Sequence, residues 1–305
     1  MNKLLIVIFS YNRAMQLNTL LNSIQNSFSS INIDVVVLYN HDPDFCEGYI
    51  ELKKRYQTAN IKFIKETSGI NLYSNKLFLN KYNLFRYFKY AYLRNPKSNF
   101  RNLLNKTLED SNAEYISFLT DDSVFIKKVE VRQEILQQIS NNPSKYSYSL
   151  RLGLDSEGLP RESEIDKGII KWDFYKNSSN KDWKYPFSVD GHIYNKNFIT
   201  RVLKKIIYVN PNSLESFVCN YIKSKKQLNE GYANQEIYML SYPINMVQNV
   251  EQNEHMGVSV ELLEEYFLKG YQLFYPIPNT ITSFQQYPKI LNFKKGNSNI
   301  EIKLR

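Results

Sequence analysis

With 305 residues, 43% of them hydrophobic and 14% aromatic, the chain can bury a sizeable core in one large α/β domain or two small ones. Its formal net charge of +9 points to nucleic acid, an anionic membrane surface or phosphorylated substrates as partners, but no dense Lys/Arg run singles one out. Two distant cysteines, Cys46 and Cys219, exclude a disulfide framework and a cysteine-based metal site, and no stretch approaches the roughly 20 apolar residues of a membrane helix.

Residues 4–10 are almost wholly apolar, the pattern of a strand buried on both faces, and run directly into Tyr11-Asn12-Arg13. The apolar run is too short for a signal-peptide core with its cleavage site, so a soluble cytoplasmic protein is expected, with peripheral contact at the inner face of a membrane left open. A helix over residues 14–27 follows, with Leu17, Leu20, Leu21 and Ile24 at helical spacing. A second buried strand over 33–39 ends in Asn40-His41-Asp42-Pro43, and a helix through Tyr49, Leu52 and Tyr56 returns to a third strand at 61–64. Strands alternating with helices imply βαβ units and a mainly parallel sheet. Residues 71–94 are aromatic, basic and expected to be helical, and a further helix over 99–112 leads to residues 115–120.

That fourth strand ends abruptly in Asp121-Asp122. Ligands in open α/β sheets sit beyond the carboxyl ends of the strands. Two acids there can hold a hard divalent cation, and a cation can hold phosphates; the alternative is that the pair caps the next helix. Beyond it a helix near 129–139 and a strand over 146–152 are expected, then an irregular region over 153–185 containing Trp172 and Trp183, and a strand over 187–194. A helix starts at Lys196, and the turn Asn210-Pro211-Asn212-Ser213-Leu214-Glu215 opens another, with Ser213 or Asn212 as cap and Glu215 in the first turn. Residues 243–247 read as a late strand, 249–257 as a polar loop holding Glu254 and His255, and 260–269 as a helix. The tail from Asn279 is polar and basic with interspersed aromatics; residues 289–295 are a candidate surface anchor.

Taken together, Ile8-Phe9-Ser10-Tyr11-Asn12-Arg13, Phe118-Leu119-Thr120-Asp121-Asp122-Ser123, Asp190-Gly191-His192-Ile193-Tyr194, Pro211-Asn212-Ser213-Leu214-Glu215 and the loop around His255 resemble a GT-A glycosyltransferase, in the manner of bacterial family 2-like enzymes of surface polysaccharide synthesis. The resemblance reaches to about Pro278. It implies one domain over 1–278, with a nucleotide-sugar part over about 1–125, an acceptor part over about 126–278, and the tail 279–305 outside it. It implies transfer of a sugar from a nucleotide-diphosphate donor, UDP-linked by expectation, to a glycan or lipid-linked acceptor, with Mn²⁺ or Mg²⁺ as cofactor and inversion at the anomeric carbon. The family's Asp-x-Asp signature has Thr120 in its first position here, so Asp122 is expected to carry the metal and Asp121 to contact ribose or donor sugar.

His255 matches a C-terminal histidine that completes the metal shell, which suits Mn²⁺ better than Mg²⁺. Phe9, Ser10, Tyr11 and Arg13 would line the nucleotide pocket, with Asn40 and His41 near base or ribose, Arg101 toward the diphosphate and His192 toward a sugar. Glu215 is expected as the catalytic base, with Asp190 as a sugar contact and rival for that role. Trp172 and Trp183 stack on an acceptor sugar or cover the core. Two other readings are weighed. A sugar nucleotidyltransferase needs a glycine-rich loop after the first strand, and Ser10-Tyr11-Asn12-Arg13 has none. A non-catalytic module binding nucleic acid or membrane would use the basic, aromatic segment 76–94; nucleic acid is not expected as a partner.

Overall fold

The computed structural model describes residues 3–29, 31–69, 73, 75–88, 98–176, 178–247 and 255–304. The strands are β1 (Lys3–Tyr11), β2 (Asn32–Asn40), β3 (Ile61–Lys65), β4 (Tyr115–Thr120), β5 (Ser123–Phe125), β6 (Tyr146–Ser149), β7 (Glu164–Asp166), β8 (Ile169–Asp173), β9 (His192–Asn195), β10 (Glu230–Asn234), β11 (Met239–Ser241), β12 (Gln272–Phe274), β13 (Ile290–Lys295) and β14 (Ser298–Lys303). The α-helices are α1 (Ala14–Ser27), α2 (Cys46–Arg55), α3 (Asn75–Phe78), α4 (Lys81–Arg86), α5 (Phe100–Asp110), α6 (Gln133–Asn141), α7 (Lys196–Leu203), α8 (Pro211–Ser224) and α9 (Val260–Leu268).

The first strand is apolar throughout because it serves two cores. Leu4, Ile6 and Ile8 join Leu17, Leu20 and Leu21 of α1 on one face. Leu5, Val7 and Phe9 join Phe100, Leu104 and Leu108 of α5 on the other. β2 divides in the same way, with Val35 and Val37 opposite Val36 and Leu38. Period-two alternation between two apolar faces gives an unbroken hydrophobic run, which is why these strands read so plainly.

A nine-stranded sheet runs in the order β3-β2-β1-β4-β9-β6-β10-β8-β7. Pairing is parallel from β3 through β4. Beyond β4 it becomes mixed: β9 is antiparallel to both β4 and β6, and β10 is parallel to β6 but antiparallel to β8. The chain leaves β1 for β2 and β3 on one side, then returns to the other side at β4. This reversal opens a crevice beyond the carboxyl ends of β1 and β4. The chain thus has the α/β architecture expected, a sheet parallel over β3-β2-β1-β4 and flanked by helices.

Several local expectations are corrected. Residues 243–247 form no strand: Ile244 N donates to Tyr242 O, closing a tight turn at Pro243, and pairing ends at β11. The expected strand over 187–194 is reduced to β9, because Gly191 sits at φ 70° and breaks the extended path before it. In the expected helix over 71–94, the described part is two short helices interrupted at Asn80, which caps α4 by accepting from Tyr82 N; residues 70–72, 74 and 89–97 lie outside the described residues. Residues 153–185 supply β7 and β8. Trp172 and Trp183 pack edge to face at 4.9 Å in a third, small core, and each indole N–H donates to a carbonyl, so neither presents a face to a sugar.

The tail is built into the body. β13 and β14 form a hairpin that extends β12, and Leu291 and Phe293, expected near a surface anchor, are fully buried in the main core. Among the described residues no helix is long and apolar enough to cross a membrane.

Candidate active site

Three strand ends meet at the crevice. At the end of β1, Asn12 takes the left-handed conformation, φ 55°, which asparagine tolerates well. Its amide Nδ2 donates to Asp42 Oδ2 at 2.8 Å, and its Oδ1 accepts from Asp42 N at 2.8 Å. Tyr11 OH donates to Asp42 Oδ1 at 2.8 Å, and burial together with Asp42 pushes its pKa to about 12. The ends of β1 and β2 are therefore fastened together by one carboxylate. Ser10 Oγ lies 2.7 Å from Tyr49 OH, which also accepts from Arg13 N. Tyr49 stacks on Tyr39 at 4.7 Å and on His41 at 5.4 Å, forming an aromatic wall beside Asn40.

At the end of β4 the two adjacent acids separate in role. Asp121 is buried and both its oxygens are engaged: Oδ1 accepts from Arg13 Nη1 at 2.9 Å and Oδ2 from Tyr11 N at 3.2 Å. Burial works against the Arg13 charge, and Asp121 and Asp122 more than offset it, so the guanidinium stays protonated. Arg13 Nη2 also donates to Asn245 O, tying the crevice floor to the turn after Pro243. Asp122 is more open. Its Oδ1 accepts from Thr120 Oγ1 at 2.8 Å, and its Oδ2 lies 3.7 Å from Arg13 Nη1.

Asp190 closes the crevice from the β9 side. Thr120 Oγ1 is 2.7 Å from Asp190 Oδ1, so one hydroxyl lies between the Asp122 and Asp190 carboxylates. Behind Asp190 stands the buried Arg151, whose Nη1 is 3.9 Å from Asp190 Oδ2 and whose Nη2 is 3.7 Å from Asp182 Oδ1. Burial, then the nearby Glu215 charge, raise Asp190 to about 7; Arg151 pulls the other way. Gly191 allows this placement. A Cβ there would lie 2.1 Å from Met239 Sδ, while Gly191 N donates to Phe118 O and its carbonyl accepts from Leu150 N.

Glu215 lies in the second turn of α8, whose cap is Asn210 in a reciprocal box with Ser213; the expected cap and first-turn position are corrected accordingly. Glu215 Oε1 accepts from Ser188 Oγ and Val189 N at 2.8 and 2.9 Å, and Ser188 Oγ accepts from Asp190 N. The carboxylate thus clamps the segment that carries Asp190.

Three further expectations are overturned. The Phe9 side chain packs in the core against Phe100 and Phe118, because strand alternation turns it away from the crevice. Arg101 points away from the crevice: Nε donates to Ile206 O at 3.1 Å, and the guanidinium covers the last carbonyls of α7. His192 is fully buried beside Phe174 and Tyr194; burial, then Arg151, push its pKa well down, so it is a neutral core residue.

His255 is exposed and accepts from Gly257 N at 3.0 Å. Among the described residues no group of three His, Cys, Asp or Glu side chains is arranged to hold a metal alone. The charge balance nevertheless suits a cation. Among the described residues Arg13 pairs with Asp121 and lies 3.7 Å from Asp122 Oδ2, while Arg151 lies 3.9 Å from Asp190 Oδ2, so three carboxylates share two guanidinium groups. A divalent ion held by one or two carboxylates and completed by phosphate oxygens fits this donor set.

Thr120, Arg151, Asp182, Asp42, Tyr49 and Tyr275 were not anticipated. Arg151 did leave a signal, a lone arginine inside the alternating run Leu150-Arg151-Leu152. Tyr275 lies among the charges of Asp122, Arg13 and Asp121 and stacks on Tyr242 at 4.1 Å.

No protein-family model matches the chain, and no curated protein does. Among solved structures it is similar to TarS from S. aureus, at 16% identity and TM-score 0.45 over 78% of this chain and 36% of that one. A TarS fragment in complex with UDP-GlcNAc gives 14% and 0.45 over 83% of this chain and 60% of the other. The mannosyltransferase PcManGT from Pyrobaculum calidifontis, in complex with GDP-Man and Mn²⁺, gives 10% and 0.41 over 76% and 54%. The chain spans between 36% and 60% of the length of these proteins.

Proposed function

We propose that this chain is a metal-dependent glycosyltransferase that moves a sugar from a nucleotide-diphosphate donor, UDP-linked by preference, to a glycan or lipid-linked acceptor in bacterial surface polysaccharide synthesis, with inversion. The observation that carries the reading is the crevice beyond β1 and β4, where Asp122 and Asp190 flank one Thr120 hydroxyl opposite Arg13. Asp42 and Asn40 offer acceptors to ribose and base, and the half-buried His41 ring, backed by the buried Tyr39 and Tyr49, offers a π face. Arg13 directs a cation at the place where phosphate charge would lie. Asp122 would hold Mn²⁺ or Mg²⁺, which when bound supplies Lewis-acid neutralisation of the departing diphosphate.

On the acceptor side, the environment of Asp190 favours it over Glu215 as the base. A carboxylate lifted to about 7 accepts a proton far more readily near neutral pH than an ordinary one. The acceptor hydroxyl gives its proton to Asp190 as its oxygen bonds the anomeric carbon, and the bond to the diphosphate breaks on the opposite face. Glu215, held by Ser188 and Val189, positions the base.

The test is nucleotide release from a panel of nucleotide sugars, with Mn²⁺, Mg²⁺ or EDTA, combined with thermal shift of the same mixtures. At least one donor should raise the melting temperature and be turned over only with metal, and Asp122→Ala should lower release by about 100-fold or more. Full metal-dependent activity in Asp122→Ala, or no response to any nucleotide sugar, overturns the reading.

A further inference from the structure

We propose that the surface formed by residues 76–88 is a docking site for an anionic lipid bilayer. In this segment the usual amphipathic order is reversed. Asn83, a polar residue, is 1% exposed, while Leu79 is 87%, Tyr82 63%, Leu84 44% and Phe85 65% exposed. The inversion is held in place by hydrogen bonds. Asn83 Nδ2 donates to Leu77 O at 3.0 Å and to Lys205 O at 2.8 Å, and its Oδ1 accepts from Ile207 N at 3.4 Å and Arg86 Nη1 at 3.1 Å. The apolar side chains are thus presented outward by a backbone pinned to the loop after α7. Large apolar groups gathered on a soluble surface mark an interaction site.

Charge selects the partner. Residues 76–88 carry Lys76, Lys81 and Arg86 and no Asp or Glu. Lys76 and Lys81 are exposed on the same stretch as Leu79 and Tyr82. Protein–protein interfaces are depleted in lysine, and exposed leucines offer nothing to the bases of a nucleic acid, which stack on aromatic faces. A bilayer with anionic headgroups takes both kinds of side chain, the apolar ones at the acyl boundary and the lysines at the phosphates. The Arg86 guanidinium lies 4.8 Å from the ring of Phe217, on the same helix as Glu215, so the surface adjoins the acceptor side of the crevice. The docking does not depend on the proposed reaction, since it is read without donor or acceptor.

The experiment is flotation of the full chain with phosphatidylcholine vesicles, with and without phosphatidylglycerol. The chain should float only with the anionic vesicles, and Leu79→Ser/Tyr82→Ser and Lys76→Glu/Lys81→Glu should each weaken partitioning by about tenfold or more. Thermal melts of both variants should match the parent; should the first pair melt early, the lysine pair decides. Failure to float with either vesicle, or undiminished flotation in the folded variants, overturns the proposal. So does a dimer that Leu79→Ser/Tyr82→Ser converts to a monomer while leaving flotation intact, which would assign the surface to a second copy of the chain. Binding to single-stranded RNA in place of vesicles, lost in the lysine variant, also overturns it.

Discussion

Thr120 has one proton, and two carboxylate oxygens lie within hydrogen-bond reach of it. It can donate to only one of them, so the Asp122–Asp190 pair favours an added proton or a cation. This sets the pH behaviour of Asp190, whose pKa is about 7 through burial and the Glu215 charge. If Asp190 is the base, kcat/KM should rise as pH passes upward through about 7, because only the ionised form accepts a proton. Asp190→Asn should lose that acidic limb and about 10²–10⁴-fold of the rate. Stability should respond with the opposite sense. A carboxyl whose folded-state pKa is raised stabilises the fold at low pH, and that contribution is lost as pH climbs from the unfolded carboxylate range through about 7. In metal-free buffer at pH 8, Asp190→Asn should therefore be more stable than the parent, by on the order of 1–3 kcal/mol, with the difference vanishing near pH 4. Urea unfolding at the two pH values measures both, and equal gaps would refute the assignment. At this scale the sequence showed Asp121 and Asp122 because acids at the exit of an apolar run stand out. It did not show which acid is engaged by Arg13, or that Asp190 is lifted and Glu215 bound, because those depend on neighbours brought together by the fold.

The site is carried by the ends of elements, and the elements differ in how openly they declare themselves. β1, β2 and β4 divide their side chains between two cores, so the hydrophobic runs of β1 and β2 are unbroken over residues 4–9 and 35–39 and Ser117 alone interrupts that of β4. β9 is short, follows a left-handed glycine, and is specified by its insertion between β4 and β6 more than by its own composition. Gly191 illustrates the point. Alanine there would need φ near 70° and would drive its Cβ into Met239. Gly191→Ala should cost about 2–4 kcal/mol in stability and displace the adjacent Asp190, lowering kcat more than it raises KM. Steady-state kinetics alongside chemical denaturation separate these, and unaltered kcat in a folded variant would show that the Asp190 position is not set by this packing. The α8 cap is legible in the sequence only to within a few residues, since Asn210, Asn212 and Ser213 are all good caps and the reciprocal bonds of Asn210 with Ser213 decide among them.

Across the whole molecule, the alternation of strands and helices made the parallel half of the sheet legible. The mixed half was not, because antiparallel pairings among β6, β8, β9 and β10 leave no mark at fixed spacing in the sequence. The place of the basic tail in the core is hidden for a related reason. Ile290, Leu291 and Phe293 look like scattered apolar residues until β12 supplies the edge on which they pair. A chain ending at residue 287 should accordingly melt at least about 10 °C lower or fail to stay soluble, since it exposes core surface around Phe267 and Leu273. A soluble truncated protein with an unchanged melting temperature would show the hairpin to be dispensable. The place of β9 also bears on how the molecule comes into being. β4 ends at Thr120, but the strand that covers its free edge begins only at His192. During synthesis the emerging parallel half must wait with that edge unpaired, a template for wrong partners while the ribosome completes the intervening segment. Because Asp190 travels just ahead of β9, closing the sheet and assembling the crevice are one folding event. Nascent chains arrested before residue 192 should be aggregation-prone and inactive together, with no stage at which a finished crevice sits on an unfinished sheet.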